Sequence, residues 1–284
     1  MLKPLEGTSM TKTVGYLGIP GSFSYLAALR YFKRDVEFFE GKSFQHILKK
    51  VQNGRLDFGI LPIENSVSGS VVKNYDLLLA SDVLIVGEVY LGVSQNLLVR
   101  KQLNLKNIRT IYSHPEAFKQ CEEFLNSLDI ARVEMSDTAT AARFVREKGR
   151  ETDAAIAGID AAKRYNLIIL KKHIETNKAN YTRFIVVARK TNGTISTNKT
   201  TILFTLKHKP GMLHKALGVL AKRDLNFTKI ESRPMLGSPF EYMFYMDFEF
   251  GSIKDAQDAI NDLKKETTSL RTLGIYKKGE LHED

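Results

Sequence analysis

Apolar and polar positions follow two alternating patterns over the first 190 residues. Residues 13–17 and 58–61 form short apolar runs with the length of buried strands, whereas 44–52 and 115–125 repeat apolar residues at helical spacing. The pattern then recurs: 88–99 is strand-like, 110–112 is a short strand, 138–147 is helical and 154–157 is another strand. Strands alternating with helices predict a mainly parallel sheet with helices on both faces. Two such sets of similar size predict two lobes with a cleft between them, where loops at strand ends face a ligand. Residues 182–188, TRFIVVA, read as a return strand that rejoins the first lobe and places Thr182 near the cleft.

A polar seam, KTNGTISTNKT at 190–200, marks a domain boundary. Beyond it, 201–206 is a strand, and Pro210 and Gly211 open a helix whose Leu213, Ala216, Leu217, Leu220 and Ala221 share one face. Strands at 226–232 and 241–250 follow, then a helix carrying Ile253, Ala256, Ile260 and Leu263, and a last strand near 273–276. The order βαββαβ is that of the ferredoxin-like split βαβ unit, with both helices on one face of an antiparallel sheet that is free to pair with another copy.

A length of 284 residues suits two or three domains, and 43% hydrophobic with 26% charged residues is the composition of a globular protein. The net charge of +10 suits anionic ligands, but Lys and Arg never form a run of five, which disfavours nucleic acid. One cysteine, Cys121, excludes an intrachain disulfide and is too few for a structural zinc or iron–sulfur site, which points to the cytosol. The first twelve residues lack the apolar stretch of a signal peptide, no apolar run approaches the ~20 residues that span a bilayer, and either Met1 or Met10 serves as a start.

Four strings carry candidate chemistry. GYLGIPGSFS, at 15–24, is a glycine-rich turn after a strand; its GxxGxxG spacing differs from nucleotide-binding fingerprints, and it either approaches a ligand or caps a helix through Ser22 or Ser24. PIENSVSGSVV, at 62–72, gathers Glu64, Asn65, Ser66 and further hydroxyls at a strand's C-terminal end, where they bind ligand, cap a helix through Asn65 or Ser66, or do both. In SHPEAFKQC, at 113–121, Ser113 would cap a helix with Pro115 in its first turn; His114 and Cys121 read as structural. NYTRF, at 180–184, sets an amide, a hydroxyl and a guanidinium side by side, and the arginine can fork onto a carboxylate. No metal-ligand spacing, serine elbow or redox pair appears in the chain.

In this order the strings resemble the prephenate dehydratase family, whose members convert prephenate to phenylpyruvate in phenylalanine synthesis, and the resemblance covers nearly the whole chain. The four match its glycine-rich, ENS, SHPQAxxQC and catalytic TRF motifs. Residues 201–276 resemble an ACT domain, KPGMLHKALGVL being similar to the PGAL-type motif and IESRP at 230–234 to the ESRP motif. Met212 stands where the family has Ala, which bears on phenylalanine affinity. Glu116 stands where it has Gln, and 91–99 lacks its Pro and His; both bear on substrate choice.

The resemblance implies an α/β catalytic domain over 13–190, two-lobed in the manner of type II periplasmic binding proteins (about 13–88 with 180–190, and 89–179), and an α+β ferredoxin-like ACT domain over 201–277. It implies a cytoplasmic carbon–oxygen lyase that needs no cofactor or metal and has no nucleic-acid or membrane partner. Thr182 would be catalytic, assisting the leaving hydroxyl directly or through a relay. Ser24, Glu64, Asn65, Ser66, Ser113, His114, Asn180, Arg183 and Phe184 would bind prephenate, Arg183 either gripping substrate or bracing the lobes. L-Phenylalanine, the allosteric effector, would bind at Gly211, Met212, Leu213, Asn226, Glu231, Ser232, Arg233 and Pro234, at the interface of paired ACT domains in a homodimer or homotetramer. The rivals are an arogenate dehydratase and a non-catalytic amino-acid-binding sensor on the same two-lobed scaffold.

Overall fold

The computed structural model describes residues 11–33, 36–189, 197–223, 225–235 and 241–282. The start positions Met1 and Met10, and most of the expected linker (190–196), lie outside the described residues.

The chain divides into two compact units. The larger opens with β1 (Lys12–Leu17), α1 (Phe23–Phe32), β2 (Val36–Gly41), α2 (Phe44–Gln52), β3 (Phe58–Asn65), the short β4 (Gly69–Ser70) and α3 (Val72–Leu79), and resumes at Val89 within β5 (Leu84–Gly92). β1 lies between β2 and β3, parallel to both. α2 packs onto these strands through Ile47, and a Cβ on Gly15, Gly41 or Gly59 would stand under 3.0 Å from that side chain. Glycine on three adjacent strands is therefore the space in which the helix seats.

The second lobe holds β6 (Asn96–Val99), β7 (Thr110–Ser113), α4 (Pro115–Gln120), α5 (Glu122–Asn126), β8 (Ala131–Glu134), α6 (Thr138–Glu147), β9 (Asp153–Ala157), α7 (Ile159–Arg164) and β10 (Ile168–Lys171), in sheet order β10-β6-β9-β7-β8. β11 (Tyr181–Ala188) then returns to the first sheet antiparallel to β3, between β3 and β5.

Three expectations change. The sheets are mixed: β1, β2 and β3 are parallel, as are β7, β8 and β9, but β6 runs antiparallel to β9 and β10, and β11 antiparallel to β3, because β6 and β11 arrive from the other lobe and enter from the opposite end. The strand expected over 88–99 is two strands in different sheets, so the chain changes lobes at Val93–Gln95, beyond the expected 88/89. There the Val93 N–H donates to Asn180 O at 2.8 Å and the Gln95 N–H to Glu175 Oε2 at 2.8 Å. Both strands and their junction are buried, so the flanks stay apolar and only the polar residues 94–96 mark the break. The helix expected over 115–125 breaks at Cys121 (φ −106°, ψ 20°); Phe118, Cys121 and Leu125 still face one core, so their spacing runs on across the break.

The smaller unit comprises Val83–Glu88 with Lys190–Glu280. Its β12 (Lys199–Thr205), α8 (Met212–Ala221), β13 (Asn226–Pro234), β14 (Tyr242–Glu249), α9 (Ile253–Glu266) and β15 (Ser269–Tyr276) follow the expected βαββαβ order and form an antiparallel sheet, β13-β14-β12-β15. Ala216 and Leu220 of α8 and Ala256, Ala259 and Leu263 of α9 close over Ile202, Phe204, Met246 and Phe248. The last strand starts earlier, at Ser269: Ser269, Leu270, Arg271 and Thr272 also pair with β12, and the Ser269 and Thr205 hydroxyls meet at 2.7 Å. Within this unit the fully buried Lys199 Nζ meets Glu88 Oε1 at 3.0 Å and Oε2 at 3.1 Å, and Glu88 Oε1 also accepts from the Gly279 N–H at 3.1 Å.

Removing one member of a buried ion pair strands the other charge, at a cost of about 3–5 kcal/mol. Lys199→Met is expected to lower stability by that amount in urea titration, with much of the loss recovered by the double substitution Lys199→Met, Glu88→Gln.

Candidate active site

Between the two lobes of the larger unit lies a cleft of about 1050 Å³, walled on one side by the starts of α1 and the β3–α3 connection and on the other by Gln95 and the starts of α4 and α6. Its floor begins at the glycine-rich turn. Gly18 (φ +99°) and Gly21 (φ +97°) hold left-handed backbone that favours glycine, and the turn ends on Ser22, whose Oγ accepts from the Tyr25 N–H at 3.3 Å. Ser22 is thus the cap, and Ser24 lines the cleft.

The central feature is a line of side-chain amides. Asn65 Oδ1 accepts from two backbone N–H groups, Val67 at 2.9 Å and Ser68 at 2.8 Å. Its Nδ2 therefore faces the other way, donating to Asn180 Oδ1 at 2.7 Å, to Tyr181 O at 3.2 Å and to Thr182 Oγ1 at 3.0 Å. Asn180 Nδ2 donates in turn to Gln120 Oε1 at 3.0 Å, and Gln95 Nε2 reaches the same oxygen at 3.0 Å. Because Thr182 Oγ1 accepts from Asn65, its own proton is left to point elsewhere, and Thr182 lines the cleft together with Phe184.

Other expected residues are placed differently. Asn65 closes a turn and caps no helix: α3 starts at Val72, and its cap, Val71, makes no side-chain bond. Ser66 fastens the chain, its Oγ donating to Ala179 O at 2.7 Å and accepting from the Tyr181 N–H at 2.8 Å, while its own N–H donates to Tyr181 O; it is not on the cleft wall. Ser113 points into the core and donates to Ile156 O at 2.8 Å, so the cap of α4 is His114, whose Nδ1 accepts from the Glu116 N–H. His114 lines the cleft and Ser113 does not, as strand alternation requires. Arg183 lies on the face of β11 opposite Thr182 and Phe184, nearly buried, with Nη1 3.9 Å from Glu64 Oε2 on the neighbouring strand. Neither is among the residues that line the cleft, and both stand on strands of the first lobe.

Several wall residues carry no motif. Lys42 and Arg143, one from each lobe, bring cations to a wall that also carries Glu40, Glu116 and Asp137, and the N-terminal turns of α1 and α6 face the same cleft. Glu116 accepts from the Ser68 hydroxyl across the cleft, Tyr165 Oη donates to Pro20 O at 2.6 Å, and Arg164 sits 5.3 Å from the Tyr25 ring, so three contacts join the lobes. Gln95 had one signal, the polar triplet SQN inside the apolar run 91–99; Gln120 lay inside a recognised string; Lys42 and Arg143 had none. Among the described residues no group of His, Cys, Asp or Glu is arranged to hold a metal ion, and no helix is long and apolar enough to cross a membrane.

Cys121 is fully buried, and burial, with Glu175 adding to it, pushes its thiol up to about 12. Its contribution to stability is fully present below its ordinary value of 9.0 and is lost as pH rises toward 12, since the unfolded chain releases the proton first. Iodoacetamide at pH 8 is expected to leave the folded protein unlabelled and to modify it in urea; rapid labelling of the folded protein would contradict the packing role.

The prephenate dehydratase family model matches residues 14–192, and the ACT domain model residues 200–267. The chain is 39% identical over 294 residues to arogenate dehydratase/prephenate dehydratase 2, chloroplastic, of Arabidopsis thaliana, covering 96% of this chain and 77% of that protein. Among solved structures, prephenate dehydratase from Arthrobacter aurescens in complex with L-Phe is 29% identical with a TM-score of 0.83, over 93% of this chain and 89% of that one. GqqA, described as a novel type of quorum quenching acylase, is 32% identical with a TM-score of 0.82, over 94% of this chain and 98% of that one.

Proposed function

Because the chain belongs to the prephenate dehydratase family and carries an ACT domain, we propose that its cleft catalyses the decarboxylating dehydration of prephenate to phenylpyruvate under control by L-phenylalanine. The observation that supports the reading is the 3.0 Å bond from Asn65 Nδ2 to Thr182 Oγ1, which takes up an accepting position of a cleft-lining hydroxyl and leaves its proton available to a ligand.

Prephenate is a dianion with a ring hydroxyl and a ring carboxylate on opposite carbons. As the carbon–carboxylate bond breaks, carbon dioxide is released and the electron pair enters the ring, the carbon–hydroxyl bond breaks, and the hydroxide leaves as water with one proton drawn from solvent through the donor at its side. Aromatisation drives the reaction, so the protein's task is to assist the leaving hydroxyl. An alcohol is a poor acid, and Thr182 therefore acts as a hydrogen-bond donor within the Asn65 network or as a relay. Lys42 and Arg143 supply charge for the side-chain carboxylate, while Ser24 and His114 offer polar contacts on the wall. The departing carboxylate is best left without a cation, since pairing it would stabilise the ground state. Arogenate, with an amine in place of the side-chain carbonyl, undergoes the same bond changes.

For regulation, Asn226, Glu231, Ser232, Arg233 and Pro234 share β13, an edge strand among the described residues, while Gly211 (φ +81°) caps α8 ahead of Met212 and Leu213. The solved relative in complex with L-Phe supports L-phenylalanine as a ligand of this chain, and the ACT domain is the part to which this reading assigns it. Pairing of β13 edges between two copies would form the site, in a homodimer or homotetramer, and linkage requires that substrate and effector alter each other's affinity equally.

Thr182→Ala is expected to lower kcat on prephenate by about 10²–10⁴-fold, a range typical of a positioned proton-transfer group, with circular dichroism unchanged, while Thr182→Ser retains most activity. Near-normal turnover by a folded Thr182→Ala protein would remove Thr182 from the mechanism. Isothermal titration with L-phenylalanine is expected to give a saturable signal that Gly211→Val weakens; no heat with wild type would defeat the regulatory part alone.

A further inference from the structure

The amide line beside Thr182 has a direction. Two backbone N–H groups hold Asn65 Oδ1, which turns Asn65 Nδ2 to Asn180; Asn180 must then offer Oδ1, its Nδ2 must face Gln120, and Gln120 must present Oε1. Gln95 completes the line by donating Nε2 to that oxygen, so its own Oε1 is turned away from the network. Rotating the Gln95 amide would set oxygen against an oxygen that already accepts from Asn180. Gln95 is 2% exposed, lines the cleft, and its Oε1 has no hydrogen-bond partner. A buried acceptor left without a donor is costly, and in a cleft wall it awaits one from a ligand.

Resting on the dehydratase reading above, we propose that Gln95 is a specificity-determining residue whose Oε1 accepts a hydrogen bond from the side-chain ammonium of arogenate, so that the cleft takes the amino substrate as well as the keto substrate and favours it through this contact. The donors of the two substrates decide the assignment. The ring portion, common to both, has one donor, the leaving hydroxyl, which is Thr182's partner. The prephenate side chain carries a keto oxygen and a carboxylate, both acceptors, and would leave Gln95 Oε1 unsatisfied. The arogenate side chain carries three N–H donors with a positive charge. A site that hydrogen-bonds a substrate N–H discriminates against the analogue lacking it because the protein group is then left unpaired. The direction imposed by Val67 and Ser68 also ties this discrimination to the same asparagine that orients Thr182.

The test compares kcat/KM for prephenate and arogenate in the full-length wild type and in Gln95→Met, which keeps the side chain's length and removes the acceptor. Loss of the Gln120 contact affects both substrates and cancels in their ratio. The arogenate-to-prephenate ratio is expected to fall about ten- to a hundredfold, the range of a hydrogen bond to a charged group. Should the methionine variant not fold, Gln95→Asn withdraws the oxygen by one methylene and is read by the same ratio. An unchanged ratio overturns the assignment of Gln95. Wild type that turns over prephenate and not arogenate also overturns it while leaving the dehydratase reading intact, and a folded wild type that turns over neither overturns the dehydratase reading itself.

Discussion

Two backbone N–H groups, those of Val67 and Ser68, bind the carbonyl oxygen of Asn65, and the chemistry of the cleft depends on that attachment. A carboxamide has one accepting end and one donating end; once the backbone claims the oxygen, the nitrogen must face Asn180, Tyr181 and Thr182. Thr182 Oγ1 therefore meets a donor. A tight turn between β3 and β4 thereby fixes which end of Asn65 faces a strand more than a hundred residues later in the chain.

The same neighbourhood joins the lobes. The outward passage, Val93–Gln95, and the return, ending at Asn180, are tied by the Val93 N–H to Asn180 O bond, and Ser66 clasps the return strand through Ala179 O and the Tyr181 N–H. Both passages supply members of the amide line, so any movement of one lobe against the other is felt at Gln95, Gln120 and Asn180. Farther out, Tyr165 on Pro20 and Arg164 on Tyr25 link the lobes from the second side. Buried amides in such a line are stable only when all of them agree in direction, which makes the arrangement cooperative.

The smaller unit uses polar burial differently. Its helical face closes on an apolar cluster, whereas Lys199 and Glu88 are buried as a pair with the Gly279 N–H completing the carboxylate. A buried pair adds little to stability over an apolar substitute but penalises any arrangement that separates its members. This demands that residues from the 83–88 segment and from β12 meet, a specificity that packing alone would not impose.

Periodicity and turn chemistry were enough to read the βαββαβ order of the smaller unit and the alternating elements of the larger one, because those signals are local: apolar spacing on a helix, a run on a strand, glycine at a turn. The strings around Asn65, His114 and Thr182 likewise marked the strand ends that meet at the cleft. The break at Val93–Gln95 left only the polar triplet SQN in the sequence, since burial on both sides of the junction keeps the flanking residues apolar. The sequence could not show that Ser113 and Arg183 turn away from the cleft while Thr182 and Phe184 turn toward it, because a shift of one residue in strand register exchanges the two faces. Lys42 and Arg143, from different lobes, become neighbours of one cleft only through folding. The direction of the amide line is tertiary for the same reason: each amide's two ends look alike in sequence, and only the partners brought from distant segments distinguish the end that donates from the end that accepts.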